Sequence, residues 1–167
     1  AVNTLSALAK HRGAEHPVWL RTALVGDTVY LDPGWADWRL IEINGNGWRI
    51  VGSGPMFLRP KAFRPMPVPS NTPDFGLLWR HLPVSTEHRI LIASWLLAAL
   101  RPGYPCPIFM LSGEQGTGKC TAAKMLRRLI DPSASPLRSP PKDLRDLLVG
   151  GLNSWMLVLD NVSHLSP

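Results

Sequence analysis

Hydrophobic and polar positions change their spacing twice along the chain. Val18 to Ala23, Thr28 to Leu31, Trp38 to Ile43 and Trp48 to Val51 are short apolar runs separated by turn residues, the pattern of β-strands. Alternation across Trp38–Ile43 sets Trp38, Leu40 and Glu42 on one face and Arg39, Ile41 and Ile43 on the other. Asn44-Gly45-Asn46-Gly47 predicts a hairpin between the last two strands, because Asn and Gly tolerate positive φ. A short helix or frayed lead-in over the first sixteen residues precedes this small antiparallel β unit. A stretch with Pro55, Pro60, Pro65, Pro67, Pro69, Pro73 and Pro83 follows. Proline removes a backbone donor, so this stretch predicts an extended connector with one helical turn near Phe75–His81.

From Ser85 the pattern becomes helical. Ser85 suits an N-cap, Glu87 suits the positive end of the helix dipole, and Pro102-Gly103 stops the helix after Leu100. It is apolar almost all round from Ile90, which predicts burial between layers. A strand over 107–112, a helix over 118–130 ended by Asp131-Pro132, a short strand over 136–138, a helix over 141–149 and a strand over 154–160 follow. Strands alternating with helices predict a parallel sheet covered on both faces. The expected division is a β-rich domain over 1–54, a connector over 55–84 and an α/β domain over 85–167.

Composition narrows the class. Of 167 residues, 45% are hydrophobic and 18% charged, which excludes disorder. The longest uncharged apolar run, Ile90 to Leu100, is about half the roughly 20 residues that a membrane helix needs, and residues 1–16 contain no signal-peptide core. Cys106 and Cys120 offer neither metal spacing nor a disulfide framework, and His11, His16, His81, His88 and His164 show no metal spacing. A reducing cytoplasm is the expected compartment. The net charge of +6 admits a nucleic-acid partner, but nine basic and six acidic residues fall in each half, so no basic domain stands out. Arg59, Lys61 and Arg64 interleave with Phe57 and Phe63, a mixture that suits single-stranded nucleic acid or, more simply, a connector packing its aromatics on a neighbour. Lys124, Arg127 and Arg128 share one helix face, read as solvated with DNA contact as the alternative.

The chemistry is concentrated in Gly113-Glu114-Gln115-Gly116-Thr117-Gly118-Lys119-Cys120-Thr121, which follows the apolar run 108–111 and opens a helix. Strand, G-x-x-x-x-G-K and helix make the P-loop context. Gly113, Gly116 and Gly118 allow the backbone to turn its N–H groups into a concavity for phosphate, the helix N-terminus adds a positive dipole end, and Lys119 reaches the phosphates as a point charge. The run Trp155–Leu159 ends in Asp160, where a Walker B carboxylate would hold magnesium through water.

With Leu96–Leu100, Leu129-Ile130-Asp131-Pro132, Pro136–Ser139, Asn153-Ser154-Trp155 and Leu159-Asp160-Asn161, these segments resemble the helicase-like ATP-binding proteins of phages and mobile elements. Those are AAA+-type or superfamily-3-type P-loop ATPases, often primase-associated. The resemblance covers about residues 85–167. It implies ATP and Mg2+ as cofactors, with residues 113–121 binding nucleotide and Lys119, Asp160 and Asn161 catalytic. It also implies single-stranded DNA as a partner, a homo-oligomeric ring, and ATP hydrolysis coupled to DNA remodelling in the full-length protein.

Two positions depart from the pattern. Cys120 stands where Ser or Thr gives magnesium a hydroxyl, and a thiol is a soft, weak donor to a hard ion. Asn161 stands where a carboxylate commonly orients water. Cys120 therefore predicts nucleotide binding with impaired turnover, and keeps open a non-hydrolysing switch or DNA-binding adaptor. Only seven residues follow Asp160, so the chain is expected to be the front part of a longer protein, inactive by itself, with the P-loop sheet incomplete.

Overall fold

The computed structural model describes residues 2–82 and 84–162, so Pro83 and His164 lie outside the described residues. An N-terminal helix α1 (Val2–Arg12), with no buried residue, leads into a meander of β2 (Thr22–Val25), β3 (Thr28–Leu31), β4 (Leu40–Asn44) and β5 (Gly47–Val51). The sheet order is β2-β3-β4-β5, antiparallel throughout. The expected hairpin joins β4 to β5 with Asn44 opposite Gly47, and Gly47 alone takes the positive φ, at 117°.

The expected strand over Val18–Ala23 is two strands. β1 (Val18–Trp19) pairs parallel with β6 (Met56–Phe57), whereas Thr22 onward pairs antiparallel with β3. A single strand cannot serve both partners, and the change falls at Leu20-Arg21. The strand expected from Trp38 starts at Leu40, because Trp38 sits at φ 58° and turns the chain. On the sheet, Ala23, Leu31, Leu40 and Ile41 are buried. Glu42 is buried with them and accepts from Arg49 Nε at 2.8 Å and from the Tyr30 hydroxyl at 3.5 Å.

Among the described residues the further helices are α2 (Gly76–His81), α3 (Thr86–Leu100), α4 (Lys119–Ile130) and α5 (Leu144–Leu152). The second core joins Leu82, Ile92, Leu96 and Ala99 to Ala122, Leu126 and Ile130, with Phe109, Leu111, Trp155 and Met156 packed against it. Burial of α3 is one-sided. Ile92, Leu96 and Ala99 face α4, while Ile90, Leu91 and Leu97 are exposed, so the expectation of a helix covered on all sides fails. Ser85 does occupy the N-cap position, but its hydroxyl meets His88 Nδ1 at 3.0 Å rather than a backbone N–H. α5 starts three residues later than expected, where Asp143 caps it by accepting from Asp146 N–H at 2.7 Å.

The strand segments expected in this half are barely paired, and the chain bends at Trp155 and Met156. Residues 107–112 carry no ladder partner among the described residues. Phe109 and Leu111 pack on the core, while Ile108 and Met110 remain 95% and 83% exposed. Segments 136–138 and 154–160 meet in a single parallel bridge, Arg138 opposite Leu159. Arg138 N–H donates to Val158 O at 2.9 Å, and Asp160 N–H to Arg138 O at 2.8 Å. The molecule is thus α/β, with a mostly antiparallel sheet and a short parallel pair.

The proline-rich stretch does more than connect. An antiparallel bridge pairs Phe63 with Ser133, flanked by Arg64 N–H to Pro132 O at 3.0 Å and Ala134 N–H to Ala62 O at 2.8 Å. These bonds join the β unit to the loop that leaves α4.

Candidate functional site

The loop before α4 has the backbone its glycines allow. Gly113, Gly116 and Gly118 lie at φ 148°, 84° and 81°, a region closed to most side-chain-bearing residues. A Cβ on Gly113 would also come within 3.3 Å of Thr117 Oγ1. Gly118 is the left-handed N-cap, and the first helical bond runs from Ala122 N–H to Gly118 O at 2.9 Å. The N–H groups ahead of Ala122 therefore have no intrahelical acceptor and sit at the positive end of the helix dipole.

Lys119 folds back over this loop. Its ammonium donates to Gly113 O at 2.7 Å, to Glu114 O and to Thr117 Oγ1 at 3.3 Å, and Thr117 Oγ1 in turn donates to Glu114 O at 2.8 Å. Glu114, Gln115 and Thr121 are exposed.

Asp160 reaches this loop from forty residues away. Cys120 Sγ donates to Asp160 Oδ1 at 3.2 Å. That hydrogen bond, aided by partial desolvation and the carboxylate's charge, pushes the Cys120 thiol pKa up. Asn161, next along, is exposed and turns the chain at φ 55°. The structure thus brings Lys119, Cys120 and Asp160 together at the N-terminal end of α4. Among the described residues no group of three or more His, Cys, Asp or Glu side chains gathers to hold a metal.

The basic clusters resolve differently from each other. Lys124 and Arg128 are exposed, as expected of a solvated face, but Arg127 is buried at 2% exposure. Its guanidinium donates to Asp131 O at 3.2 Å, Pro136 O at 3.1 Å and Ser154 Oγ at 2.8 Å, and burial lowers its pKa. Helical spacing correctly puts three basic residues together; it does not reveal that the loop after α4 folds over one of them. In the connector, Arg59 forks onto Asp32 at 2.6 and 2.8 Å and lies 3.7 Å from the Trp38 ring centre. Phe63 lies under Arg21, whose guanidinium carbon is 3.4 Å from the ring centre. Arg59 and Phe63 are committed to packing within the β unit, the simpler of the two sequence readings.

Sequence reasoning missed a buried arginine at the far end of α4 from the site. Arg21, fully buried, donates through Nε to Asp131 Oδ1 at 3.1 Å and through its other nitrogens to Asp32 O, Arg64 O and Pro132 O. Desolvation lowers its pKa, and the Asp131 carboxylate opposes the shift. Asp131 Oδ2 accepts from Ser154 Oγ at 3.2 Å and Met156 N–H at 3.1 Å. The available signal was a lone arginine between two apolar runs, Val18-Trp19-Leu20 and Ala23-Leu24-Val25. A charge there is costly unless a partner is supplied.

The fold and this site define an α/β protein with a glycine-rich loop at a helix N-terminus, faced by a carboxylate from a neighbouring extended segment. Residues 77–167 match the family described as actinomycete integrative conjugative element replication protein. The match spans more than half of the chain and includes the loop, α4 and Asp160, and the chain belongs to that family of mobile-element replication proteins. No curated protein and no solved structure matches it. No helix among the described residues is long and apolar enough to cross a membrane.

Proposed function

We propose that this chain carries the nucleotide site of a P-loop ATPase that serves replication of a mobile element. The observation that carries the reading is the approach of Asp160 to Cys120 at the mouth of the glycine-rich loop. A P-loop ATPase needs such a carboxylate beside the residue that follows its lysine. The loop fits a phosphate chain. Three glycines hold positive φ, the leading N–H groups of α4 are free of helical acceptors, and Lys119 is within reach of the same concavity. ATP would lie on residues 113–121, with Lys119 on its β- and γ-phosphates.

Magnesium fits less fully. Asp160 offers a hard oxygen, whereas Cys120 offers sulfur, which magnesium binds poorly. When bound, the ion would neutralise phosphate charge, and Asp160 would hold it through water. Asn161 would orient a water without accepting its proton. DNA remodelling, contact with single-stranded DNA and assembly into a ring belong to the same proposal for the full-length protein; the family and the exposed Lys124 and Arg128 support the DNA part. Cys120 also favours a second reading, a switch that binds nucleotide without turning it over.

Binding of a fluorescent ATP analogue to the full-length protein, followed by its turnover with magnesium with and without single-stranded DNA, tests both readings. Lys119→Ala should weaken binding by about tenfold or more, the loss of one charge-assisted phosphate contact. If Cys120→Ser raises a DNA-stimulated rate, the ATPase reading holds. Binding in the parent with no turnover in either protein selects the switch, and absence of binding overturns both.

A further inference from the structure

Arg21 and Asp131 tie the β unit to the segment that ends in Asp160. Both are buried, at 0% and 4% exposure, and they are 110 residues apart in sequence. Asp131 divides its two oxygens between the halves of the molecule. Oδ1 takes the Arg21 guanidinium, while Oδ2 takes the backbone N–H of Met156 and the hydroxyl of Ser154. Arg21 has little freedom, because Asp32 O, Arg64 O and Pro132 O accept from three more of its N–H groups and Phe63 lies beneath it.

A hydrogen bond to the N–H of Met156 fixes where the chain turns into the segment that ends in Asp160. The chain bends at Trp155 and Met156, the latter four residues before Asp160, so the Asp131 bond holds the entrance to that segment. A slip of one position would carry Asp160 to the opposite face. Besides the clamp, the segment is held by the Arg138–Leu159 bridge, by Trp155 Nε1–H donating to Ala99 O at 2.8 Å and by the packing of Trp155 and Met156 on the core. Register that a full ladder would set is here shared between one bridge and side-chain contacts, of which Asp131 is the one that holds the backbone N–H of Met156.

We infer that Arg21 and Asp131 act as positioning residues that pin the register of residues 154–160 and so place Asp160 beside Cys120. The β unit is then a working part of the nucleotide site rather than a separate module. Asp160's role in that site rests on the function proposed above; the clamp itself does not depend on nucleotide.

The test uses the whole chain in a Cys106→Ser background, so that Cys120 is the only native thiol. Asp160→Cys and Asn161→Cys are made separately, and disulfide formation with Cys120 is timed under mild oxidation. In the parent register the thiol at position 160 should react about tenfold or more faster than that at 161, since the bond requires closely matched Cβ positions. Asp131→Asn, and the paired change Arg21→Met with Asp131→Leu, should drive that ratio towards equality while a cooperative melting transition remains. The paired change keeps the test readable if the single one fails to fold, because Arg21 and Asp131 leave together while Arg127, which loses the Asp131 carboxylate, keeps Asp131 O, Pro136 O and Ser154 Oγ as acceptors. Glu42→Gln, which disturbs another buried carboxylate of the β unit, should lower Tm and leave the ratio alone.

Three results overturn the inference: no preference for position 160 in the parent, an unchanged ratio in the folded Asp131 variants, or an equal collapse with Glu42→Gln. Since the oxidation needs no nucleotide, failure of ATP binding would count against the proposed function alone.

Discussion

The two halves of this protein solve the same problem, pairing extended segments, with opposite degrees of completeness. In residues 22–51 each strand pairs with the next along the chain, and the four-stranded ladder closes through short turns. Its buried charges are matched locally, Glu42 by Arg49 and Asp32 by Arg59. In residues 107–160 the extended segments are separated by helices, and one parallel bridge is all they form among themselves. Ile108 and Met110 face outward there, as do Leu97 of α3 and Leu152 of α5. The contrast follows from connectivity. Antiparallel neighbours need a two-residue turn, whereas parallel neighbours need a crossover of a dozen or more residues and so depend on distant parts of the chain. What the second half lacks in ladder bonds it partly replaces with the Arg21–Asp131–Arg127 cluster, borrowing an arginine from the first half.

The strongest way to break this comparison is to remove that borrowed charge. Arg21→Met leaves the Asp131 carboxylate buried without its closest partner and should cost about 3–5 kcal/mol, the usual penalty for breaking a buried ion pair. Chemical denaturation would measure it, and both halves should lose stability together because the pair joins them.

A matched pair of truncations sharpens the difference. Ile41→Ala, at a position 4% exposed in the complete ladder, should cost about 2–5 kcal/mol, whereas Ile108→Ala, at 95% exposure, should stay within about 0.5 kcal/mol. Equal losses in thermal or denaturant unfolding would show that the 107–112 segment is covered in solution.

The smallest effect concerns reactivity rather than stability. Asp160→Ala removes the hydrogen bond and the charge that raise the Cys120 thiol pKa, so the pKa should fall. At a fixed mildly alkaline pH the thiolate fraction then rises, and alkylation of Cys120 should speed up. The pH–rate profile should move to lower pH in a Cys106→Ser background, and an unmoved profile would separate Cys120 from Asp160.

Much of this arrangement was legible in the residues. Apolar runs broken by turn residues located β3 and β5 closely, Asn44–Gly47 located the hairpin, and Lys119–Ile130 is the helix expected after the glycine-rich loop. Those features depend on near neighbours in sequence. The same local logic named Lys119, Cys120 and Asp160, since glycine positions and an apolar run ending in a carboxylate are properties of single segments. It failed where a residue's role depends on a partner far along the chain. Arg127 reads as a surface charge from its helical spacing and is buried, because residues 131–136 and 154 close over it. The strand from Val18 reads as continuous and is divided, because β6 claims its first part.

By itself, then, the sequence determined the hairpin and strands from Thr28 to Val51, the helices α3 and α4 and the glycines and side chains of the loop, because propensity, glycine freedom and short-range hydrogen bonds act within a few residues. Tertiary structure alone decided that Asp160 would meet Cys120, that Arg21 would be neutralised by Asp131, and that the face bearing Ile108 and Met110 would remain exposed. Each of these depends on which distant segments meet, and burial makes the outcome costly to alter once a charge has been withdrawn from water.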